Sequence, residues 1–324
     1  MEKKINRIGI LTSGGDAPGM NAVVRAIVRK AAAGGLSVLG IRRGYSGLIS
    51  GDMLELTSRS VDRLLPRGGT MLYTARCQEM YTEEGLEKAA NVCHYMGIDG
   101  LVVIGGDGSF RGALALAEKG VSSIGVPATI DNDIACTEYS IGFDTACNTA
   151  VEAVDKLRDT MQSHERCSVV EVMGRSAGHL ALHVGVAVGA TCILLPEREL
   201  DFHTAVIEPI RMGRLGGRHH HIIIVAEGYG SAQDVAVNIQ ETTGMEARVT
   251  ILGHIQRGGT PSAQDRVMAT QMGCHAAGLL MAGKKQRLVV CEGGTVADCD
   301  MREGLLRQKD LSQALFEASQ IVTS

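Results

Sequence analysis

The sequence contains no tryptophan, and aromatic residues make up only 3% of its 324 positions. Most of the aromatic platforms on which nucleic-acid bases stack are therefore missing. The net charge of −4 also lacks the positive excess that attracts a phosphate backbone. We expect no general nucleic-acid binding, and any basic site must be local.

No apolar run in the chain approaches the roughly 20 residues of a membrane-spanning helix, and the charged start "MEKKINR" does not resemble a signal peptide. The nine cysteines form no C-x-x-C pair and no paired metal-ligand spacing, which favours reduced thiols over a disulfide framework. These absences predict a soluble cytoplasmic protein. With 45% hydrophobic residues, a chain of this length is expected to form two domains.

Short apolar runs rich in β-branched residues recur along the sequence and predict buried strands. They are "RIGILTS", "SVLGI", "GLVVIGG", "SIGVPAT", "SVVEVMG", "CILLP", "HIIIVAEG" and "RVTILGH". Segments with helical spacing alternate with them, at 22–33, 82–96, 145–162 and 263–281. This alternation predicts an α/β fold of two doubly wound domains with mostly parallel sheets. Functional loops of such sheets lie beyond the carboxyl ends of the strands.

Two glycine-rich stretches each follow a predicted strand. In "TSGGDAPGMN", residues 12–21, backbone N–H groups and a helix N-terminus suit an anion, although a tight turn would need the same glycines. "VVIGGDGSF", residues 102–110, adds Asp107 and Ser109. A carboxylate beside phosphates needs a divalent cation between them, which predicts Asp107 as a Mg²⁺ partner. The alternative is that Asp107 caps the following helix.

A third stretch, "VPATIDNDI" at residues 126–134, places two carboxylates just after an apolar run. If the backbone stays extended beyond Pro127, Thr129, Asp131 and Asp133 could project to one side. One carboxylate could then act as a base while the other orients it or binds metal. The alternative is an Asx-turn with solvated carboxylates.

Five arginines stand beside glycine, histidine or strand ends in an otherwise acidic protein. They are Arg76, Arg166, Arg175, Arg248 and Arg257. Each alone is typical of a surface charge, but together they favour bidentate recognition of phosphate. Glu227 and His254 also follow apolar runs, where they could hydrogen-bond a sugar hydroxyl or a phosphate, although a lone histidine more often has a structural role. The pattern predicts a phosphorylated substrate.

Eight motifs occur in an order that resembles the bacterial ATP-dependent 6-phosphofructokinases, the phosphofructokinase A family. They are "LTSGGDAPGMN", "RGGTMLYTARC", "VVIGGDGS", "PATIDNDI", "GFDTA", "EVMGRSAGH", "IIIVAEG" and "LGHIQRGGTPSAQDR". The resemblance runs from Arg7 to Arg266 and continues more loosely to the end of the chain. G-G-D-G alone would also suit NAD kinases and diacylglycerol kinases, which are not expected to carry T-I-D-N-D.

The resemblance implies transfer of the γ-phosphoryl group of MgATP to the 1-hydroxyl of fructose 6-phosphate, a step of glycolysis. Asp131 matches the catalytic base, Thr129 and Asp133 match positioning residues, and Arg76 and Arg175 match residues that stabilise charge on the transferring group. The ATP site is matched by Gly15, Arg76, Cys77, Gly106, Asp107, Gly108 and Ser109, with the metal at Asp107. The sugar-phosphate site is matched by Thr129, Asp131, Arg166, Met173, Gly174, Arg175, Glu227, Arg248, His254 and Arg257.

The resemblance also implies how the chain is organised. Residues 1–142 plus 255–305 match a nucleotide-binding domain, and residues 143–254 plus 306–324 match a sugar-phosphate-binding domain, with the active site in the cleft between them. Arg166 and Arg248 match arginines that a neighbouring subunit supplies. The active enzyme is therefore expected to be an oligomer, in this family usually a homotetramer.

Two positions bear on the phosphoryl donor. Pyrophosphate-using relatives resemble G-G-D-D and P-K-T-I-D-N-D, whose carboxylate and lysine occupy the space that the α-phosphate of ATP needs. Gly108 and Ala128 stand at these positions, which favours ATP, although the family usually has glycine in place of Ala128. Met80 and Tyr81 also depart from the usual aromatic and basic residues at the adenine end.

An effector pocket is a further implication of the resemblance. The matching residues are Arg25, Arg29, Arg158, Gly189, Arg218 and His220. Thr191 stands where a glutamate is usual, and Gly216 or Leu215 where a basic residue is usual. ADP and phosphoenolpyruvate are the implied effectors, with identity and sign open. The run His219–His221 is predicted to be a pocket rim rather than a metal site, because adjacent strand residues face opposite sides.

Other functions are compatible with parts of the pattern. A pyrophosphate-dependent phosphofructokinase and a non-catalytic nucleotide or metabolite sensor would use the same fold. A dinucleotide-dependent oxidoreductase is disfavoured, because neither glycine loop has the dinucleotide-binding spacing followed by an acidic ribose partner.

Overall fold

The computed structural model describes residues 5–322, so the charged start "MEKK" and the last two residues of the predicted second domain lie outside it. The chain forms two compact units. The first comprises the chain up to Thr129, Ile134–Asp144 and Arg257–Lys309; the second comprises Ile130–Asp133, Thr145–Gln256 and the chain from Asp310. Each unit contains a sheet with helices, which confirms the predicted α/β class.

Strands and helices alternate along most of the chain. The strands are β1 (Arg7–Thr12), β2 (Ser37–Ile41), β3 (Met53–Leu56), β4 (Gly100–Gly105), β5 (Ser123–Pro127), β6 (Cys167–Val172), β7 (Cys192–Leu194), β8 (His221–Ala226), β9 (Ala247–Ile251), β10 (Arg287–Glu292) and β11 (Thr295–Asp300). The α-helices are α1 (Met20–Ala33), α2 (Gly44–Ser50), α3 (Glu83–Tyr95), α4 (Asp107–Glu118), α5 (Phe143–His164), α6 (His179–Ala187), α7 (Glu208–Leu215), α8 (Ala232–Thr243), α9 (Ala263–Met281), α10 (Met301–Leu306) and α11 (Gln313–Val322). The predicted strands and helices are all present among them.

The sheet of the first unit has the strand order β11-β10-β5-β4-β1-β2-β3. Its inner strands are parallel, whereas β3 and β11 run antiparallel at the two edges. In the central strand β4, Leu101 lies opposite Gly9 of β1 and Ser123 of β5. All six residues of β4 are buried, as expected for a parallel strand that is covered on both faces.

The sheet of the second unit has the order β7-β8-β6-β9, and all its strands are parallel. Its strand β8 is buried at every position, which accounts for the unbroken apolar run "IIIVA". Within residues 5–322, no helix is both long enough and apolar enough to cross a bilayer.

Helices α1 and α9 of the first unit approach closely because a glycine lies at their contact. A Cβ at Gly273 of α9 would lie 2.8 Å from the Cβ of Ala26 and 2.9 Å from the carbonyl oxygen of Val23, both on α1. These distances are shorter than carbon and oxygen atoms tolerate. Any larger side chain at residue 273 would therefore push the helices apart.

A buried carboxylate on α9 anchors the segment between β5 and α5. Asp265 has no exposed surface, and its Oδ1 accepts the Tyr139 hydroxyl at 2.6 Å and the Gly142 N–H at 2.7 Å. The Asp265 N–H donates to the hydroxyl of Ser262, the N-cap of α9, at 3.1 Å. Ser262 in turn donates to Asp144 at 2.5 Å. The residues that follow T-I-D-N-D are thereby tied to α9.

Asp265→Asn should destabilise the protein, because an amide keeps the size of the carboxylate but weakens two charge-assisted hydrogen bonds in the core. We expect the free energy of unfolding to fall by about 2–3 kcal/mol. Asp234→Asn, an exposed change on α8, should stay within about 0.5 kcal/mol of the parent. Urea unfolding followed by circular dichroism measures both, and equal stabilities would contradict the anchoring role.

Candidate active site

Two glycine-rich loops of the first unit meet at the carboxyl edge of its sheet. They follow β1 and β4, which are parallel neighbours. The N–H of Ser13 donates to the carbonyl of Ile104 at 2.9 Å, and a Cβ at Gly14 would lie 3.6 Å from the Ser109 Oγ. The backbone groups of both loops therefore lie side by side.

The second loop leads into α4 and leaves the start of this helix open. Gly106 is the N-cap, and Gly108 lies in the first turn. A Cβ at either glycine would meet no described atom within 4 Å. Beneath them, the Tyr45 hydroxyl donates to the Ser109 carbonyl at 2.5 Å, and burial raises the pKa of Tyr45, which keeps it a donor. An open helix N-terminus of this kind suits an anion.

Asp107 begins α4 with a carboxylate that is 43% exposed. Its Oδ2 accepts from the Arg111 Nε at 2.8 Å, one turn further along. The N-cap is Gly106, so the capping alternative for Asp107 is wrong. Residues 5–322 hold no group of three or more histidine, cysteine or acidic side chains placed for a metal. One carboxylate beside an open helix start still fits Mg²⁺, which completes its shell with phosphate oxygens and water.

Arg257 lies over the first glycine loop. Its Nη1 donates to the carbonyl of Asp16 at 3.3 Å, and a Cβ at Gly15 would overlap the guanidinium group. Because Gly15 has no side chain, the guanidinium group of Arg257 fits against this loop. The sequence predicted these two residues for different ligands, whereas the structure places them in contact within the first unit.

The segment before Arg76 is held by side chains that the sequence analysis missed. Asn21 is 2% exposed; its Nδ2 donates to the carbonyls of Arg67 and Gly68 at 3.1 and 3.0 Å, and its Oδ1 accepts the Met71 N–H at 2.7 Å. Both the nitrogen and the oxygen of the Asn21 amide group therefore have backbone partners. The sequence feature that could have identified Asn21 is its place in "PGMN", as a polar residue among the buried positions of α1.

Threonine hydroxyls also attach the segment before Arg76 to β1 and to the first glycine loop. The Thr12 hydroxyl donates to the Tyr73 carbonyl at 2.9 Å and contacts the Thr70 hydroxyl at 2.8 Å. The Thr74 hydroxyl donates to the Gly14 carbonyl at 2.6 Å. Tyr73 has a positive φ of 58°, which these bonds help to maintain. Of the predicted ATP residues that follow directly, Arg76 is exposed and Cys77 is half-buried.

The T-I-D-N-D loop departs from the extended form that the sequence analysis considered. The chain turns at Ile130 and Asp131, and Asn132 adopts a left-handed φ of 50°, which asparagine tolerates better than most residues. Alternate residues therefore do not project from one extended strand. Asp131 is 6% exposed, so it is not a solvated carboxylate either, and Asp133 is half-buried.

In the second unit, predicted sugar-phosphate residues follow neighbouring parallel strands. Gly174 and Arg175 come after β6, and Glu227 comes after β8. The Glu227 Oε1 accepts the N–H of Gly174 at 3.2 Å and also the N–H of Arg175. Arg175 has a positive φ of 62°, so the carboxylate holds a strained residue in place.

The same edge of this sheet carries Met173 and His254. The Met173 N–H donates to the Gln256 Oε1 at 3.0 Å, which links the end of β6 to the short helical turn Gly253–Arg257. His254 lies exposed in this turn, directly after β9. The structure therefore brings Met173, Gly174, Arg175, Glu227 and His254 together at the carboxyl edge.

Arg166 and Arg248 lie at the opposite, amino edge of the second sheet. Arg166 precedes β6 and Arg248 is near the start of β9, so the length of β6, about 20 Å, separates them from Arg175. Glu246, which the sequence analysis missed, pairs with both arginines; its Oε2 is 2.6 Å from the Arg166 Nε. The hydrogen bond from Arg166, and then the charges of both arginines, lower the pKa of Glu246.

The predicted effector residues are divided between the units. Arg25 and Arg29 lie on α1, and Arg29 pairs with Asp62. The other four lie in the second unit.

Those four second-unit residues are neighbours. Arg158 donates to the Val188 carbonyl, next to Gly189 with its φ of 59°. Partial burial and the charges of Arg158 and Arg218 lower the pKa of His220. A cationic cluster that keeps its histidine neutral therefore exists in this unit.

Thr191 lies beneath this cluster. Its hydroxyl is 3.2 Å from the Nδ1 of His221, which is 1% exposed. Burial, followed by the charges of Arg218 and His220, lowers the pKa of His221 to about 4. His221 is thus a neutral buried residue, whereas His219 is exposed. Of the run His219–His221, His221 alone belongs to β8, so these residues do not alternate along one strand as the prediction assumed.

Known proteins resemble this chain along nearly its whole length. The family model described as phosphofructokinase matches residues 7–280. An ATP-dependent 6-phosphofructokinase of Clostridium botulinum (strain Hall) is 51% identical over 316 residues, which cover 98% of this chain and 99% of the relative. A protein of the same name from Clostridium tetani is 50% identical over 319 residues, which cover 98% of this chain and 100% of the relative.

Among solved structures, phosphofructokinase from Saccharomyces cerevisiae superposes with a TM-score of 0.88 at 34% identity. The alignment covers 98% of this chain and 46% of the yeast chain, so the present chain spans about half the yeast protein. The family match and the curated relatives together show that this chain belongs to the phosphofructokinase family.

Proposed function

We propose that the protein transfers the γ-phosphoryl group of MgATP to the 1-hydroxyl of fructose 6-phosphate, giving fructose 1,6-bisphosphate and ADP. The observation that carries this proposal is the open start of α4 beside the first glycine loop, with the Asp107 carboxylate at its edge. This arrangement suits a phosphate chain with a divalent cation. The names of the curated relatives support the same reaction.

Residues 1–142 plus 255–305 are proposed as the nucleotide-binding domain. The polyphosphate would bind the backbone N–H groups at Gly15 and at Gly106–Ser109, with Arg76 and Cys77 contacting the rest of the nucleotide. Asp107 would hold Mg²⁺, and the ion, when bound, would supply positive charge that stabilises the phosphates. Arg111 pairs with the Asp107 Oδ2, so the metal would compete with Arg111 for this oxygen or bind the other oxygen of the carboxylate.

Residues 143–254 plus 306–324 are proposed as the sugar-phosphate-binding domain. Met173, Gly174, Glu227 and His254 would contact fructose 6-phosphate at the carboxyl edge of the second sheet. The guanidinium group of Arg257 is proposed to bind the phosphate of fructose 6-phosphate. Its place over Gly15 supports a role near the nucleotide phosphates as well.

Asp131 is proposed as the general base that takes the proton from the 1-hydroxyl, with Thr129 and Asp133 as positioning residues. The burial of Asp131 supports this role, because a side chain packed among its neighbours holds the orientation that proton transfer requires. Arg175 and Arg76 would stabilise charge on the phosphoryl group as it moves. No covalent enzyme intermediate is needed.

Arg166 and Arg248 are proposed to serve the active site of a neighbouring subunit in a homotetramer. Their position at the amino edge of the second sheet, with Glu246 between them, supports a role apart from Arg175. The cationic cluster around Arg158 and His220 is proposed to bind an anionic effector, with ADP and phosphoenolpyruvate as the candidates.

Asp131→Asn should abolish most of the activity, because an amide cannot accept the hydroxyl proton. We expect kcat to fall by roughly 10²–10⁴-fold, with the KM for fructose 6-phosphate within a few-fold of the parent. A coupled assay of fructose 1,6-bisphosphate measures both. Asp234→Asn, on the exposed side of α8, serves as the control. An unchanged kcat in Asp131→Asn would contradict the role of Asp131 as the base, and binding without turnover by the parent would favour a non-catalytic sensor.

The parent enzyme should use ATP and show little turnover with pyrophosphate, because Gly108 and Ala128 leave the nucleotide phosphates room. Gly108→Asp should raise the KM for ATP at least tenfold, since a carboxylate at this open position would repel the phosphates. Gly278→Asp, at a helical glycine of α9 that also faces open space, controls for added charge. Preference of the parent for pyrophosphate would instead identify the pyrophosphate-dependent reaction.

Glu227→Ala should lower kcat more than Glu227→Gln does. Alanine removes the acceptor for the N–H of Arg175, whereas glutamine retains a neutral acceptor and should recover part of the loss. We expect roughly a 10²-fold fall for alanine, typical of a misplaced catalytic group, and a smaller fall for glutamine. Steady-state kinetics of both variants, with the exposed Glu241→Ala as control, measures this; equal losses would mean that Glu227 does not position Arg175.

A further inference from the structure

Two thiols of the first unit meet against α10. Cys136 is buried in the segment 134–138, which follows Asp133, and Cys299 is half-buried in β11. A Cβ at Gly304 of α10 would lie 3.1 Å from both sulfur atoms. Each of the two thiols also shifts the pKa of the other. Two thiols that lie this close to one point need little movement to become covalently bonded.

The backbone on both sides of this contact is fixed by the same strand. The Cys291 N–H of β10 donates to the Thr137 hydroxyl at 2.8 Å, and the Glu138 N–H donates to the Cys291 carbonyl at 3.0 Å. Lys309 also donates to the Thr137 carbonyl, at 2.7 Å. On the other side, Cys299 pairs in register with β10. The approach of the two thiols is thus built into the sheet.

The two thiols differ in acidity. The hydrogen bond from Cys136 lowers the pKa of Cys299, and the charges of Arg307 and Arg287 lower it further. The hydrogen bond with Cys299, followed by burial, raises the pKa of Cys136. Cys299 is therefore the attacking thiolate and Cys136 the resolving thiol, the usual division of roles in thiol exchange.

Several other cysteines are poor competitors. Burial raises the pKa of Cys93, Cys167 and Cys192 to about 12 in each case. A thiol with such a pKa is protonated at neutral pH and does not attack disulfides. Cys299 is therefore more reactive toward a mild oxidant than these three buried thiols.

We propose that Cys136 and Cys299 are a modification site that closes to an intramolecular disulfide by exchange with a small-molecule disulfide such as oxidised glutathione. The Cys299 thiolate attacks one sulfur of this molecule, whose S–S bond breaks and releases one small thiolate. Cys136 then loses its proton to solvent, attacks the sulfur of Cys299 in the mixed disulfide, and displaces the second small thiolate. Two protein thiols and one small disulfide become one protein disulfide and two small thiols.

The test treats the reduced, folded protein with oxidised glutathione and maps its peptides by mass spectrometry without reduction. The wild type should yield the 136–299 cross-linked peptides with the loss of two hydrogens. Cys136→Ser should instead retain one glutathione on Cys299, because the resolving thiol is gone. Cys274→Ser, which removes a half-buried thiol of α9, should behave as the wild type.

Thermal unfolding gives a second readout, which circular dichroism can follow in a protein without tryptophan. The oxidised wild type should melt roughly 5–10 °C above the reduced protein, and Cys299→Ser should show no such shift. A lasting glutathione adduct on Cys299 of the wild type would overturn the proposal. So would the absence of a 136–299 cross-link after the same treatment, whatever the variants do.

Discussion

Parallel strand pairing is the constraint on which the proposed site depends. Strands that run in one direction end at one edge of the sheet, so the loops that follow them become neighbours regardless of their distance in sequence. In the first unit this places Gly15 beside the loop of Asp107. In the second unit it gathers Arg175, Glu227 and His254. The edge concentrates backbone N–H groups and polar side chains where a polyanionic ligand can use them.

The loops at these edges lack a sheet's own hydrogen bonds, and polar side chains supply the missing partners. Asn21 satisfies three backbone groups of the segment before Arg76. Glu227 does the same for two N–H groups around the strained Arg175, and Asp265 for the segment after T-I-D-N-D. Unpaired backbone groups at such positions would be costly. The precision of the site therefore rests on residues that need not touch a substrate.

Most of the buried strands and the longer helices could be predicted from the sequence because a buried element carries its own apolar signature, although the buried strand β10, "RLVVCE", was missed. The edge strands β3 and β11 could not, since they are half-exposed and interrupt their apolar residues with charge. Motif residues such as Asp107 were found through their local pattern. Asn21 was not, because its partner Gly68 is 47 positions away. The extended form of T-I-D-N-D failed because the chain turns at Ile130 and Asp131 and Asn132 takes a left-handed backbone, which the pattern did not reveal.

Charge pairing has a consequence for how ligands bind. Arg166 and Arg248 share Glu246, and Asp107 pairs with Arg111. The shared carboxylate of Glu246 thus reduces the repulsion between Arg166 and Arg248. Each of these charged groups has a partner within the protein as an alternative to a ligand. Exposed ion pairs contribute only about 0–1 kcal/mol, whereas bidentate arginine–phosphate and metal–carboxylate contacts are stronger. A phosphate or Mg²⁺ bound as proposed would therefore replace the protein partner, and binding would be an exchange of charges rather than the filling of unpaired sites.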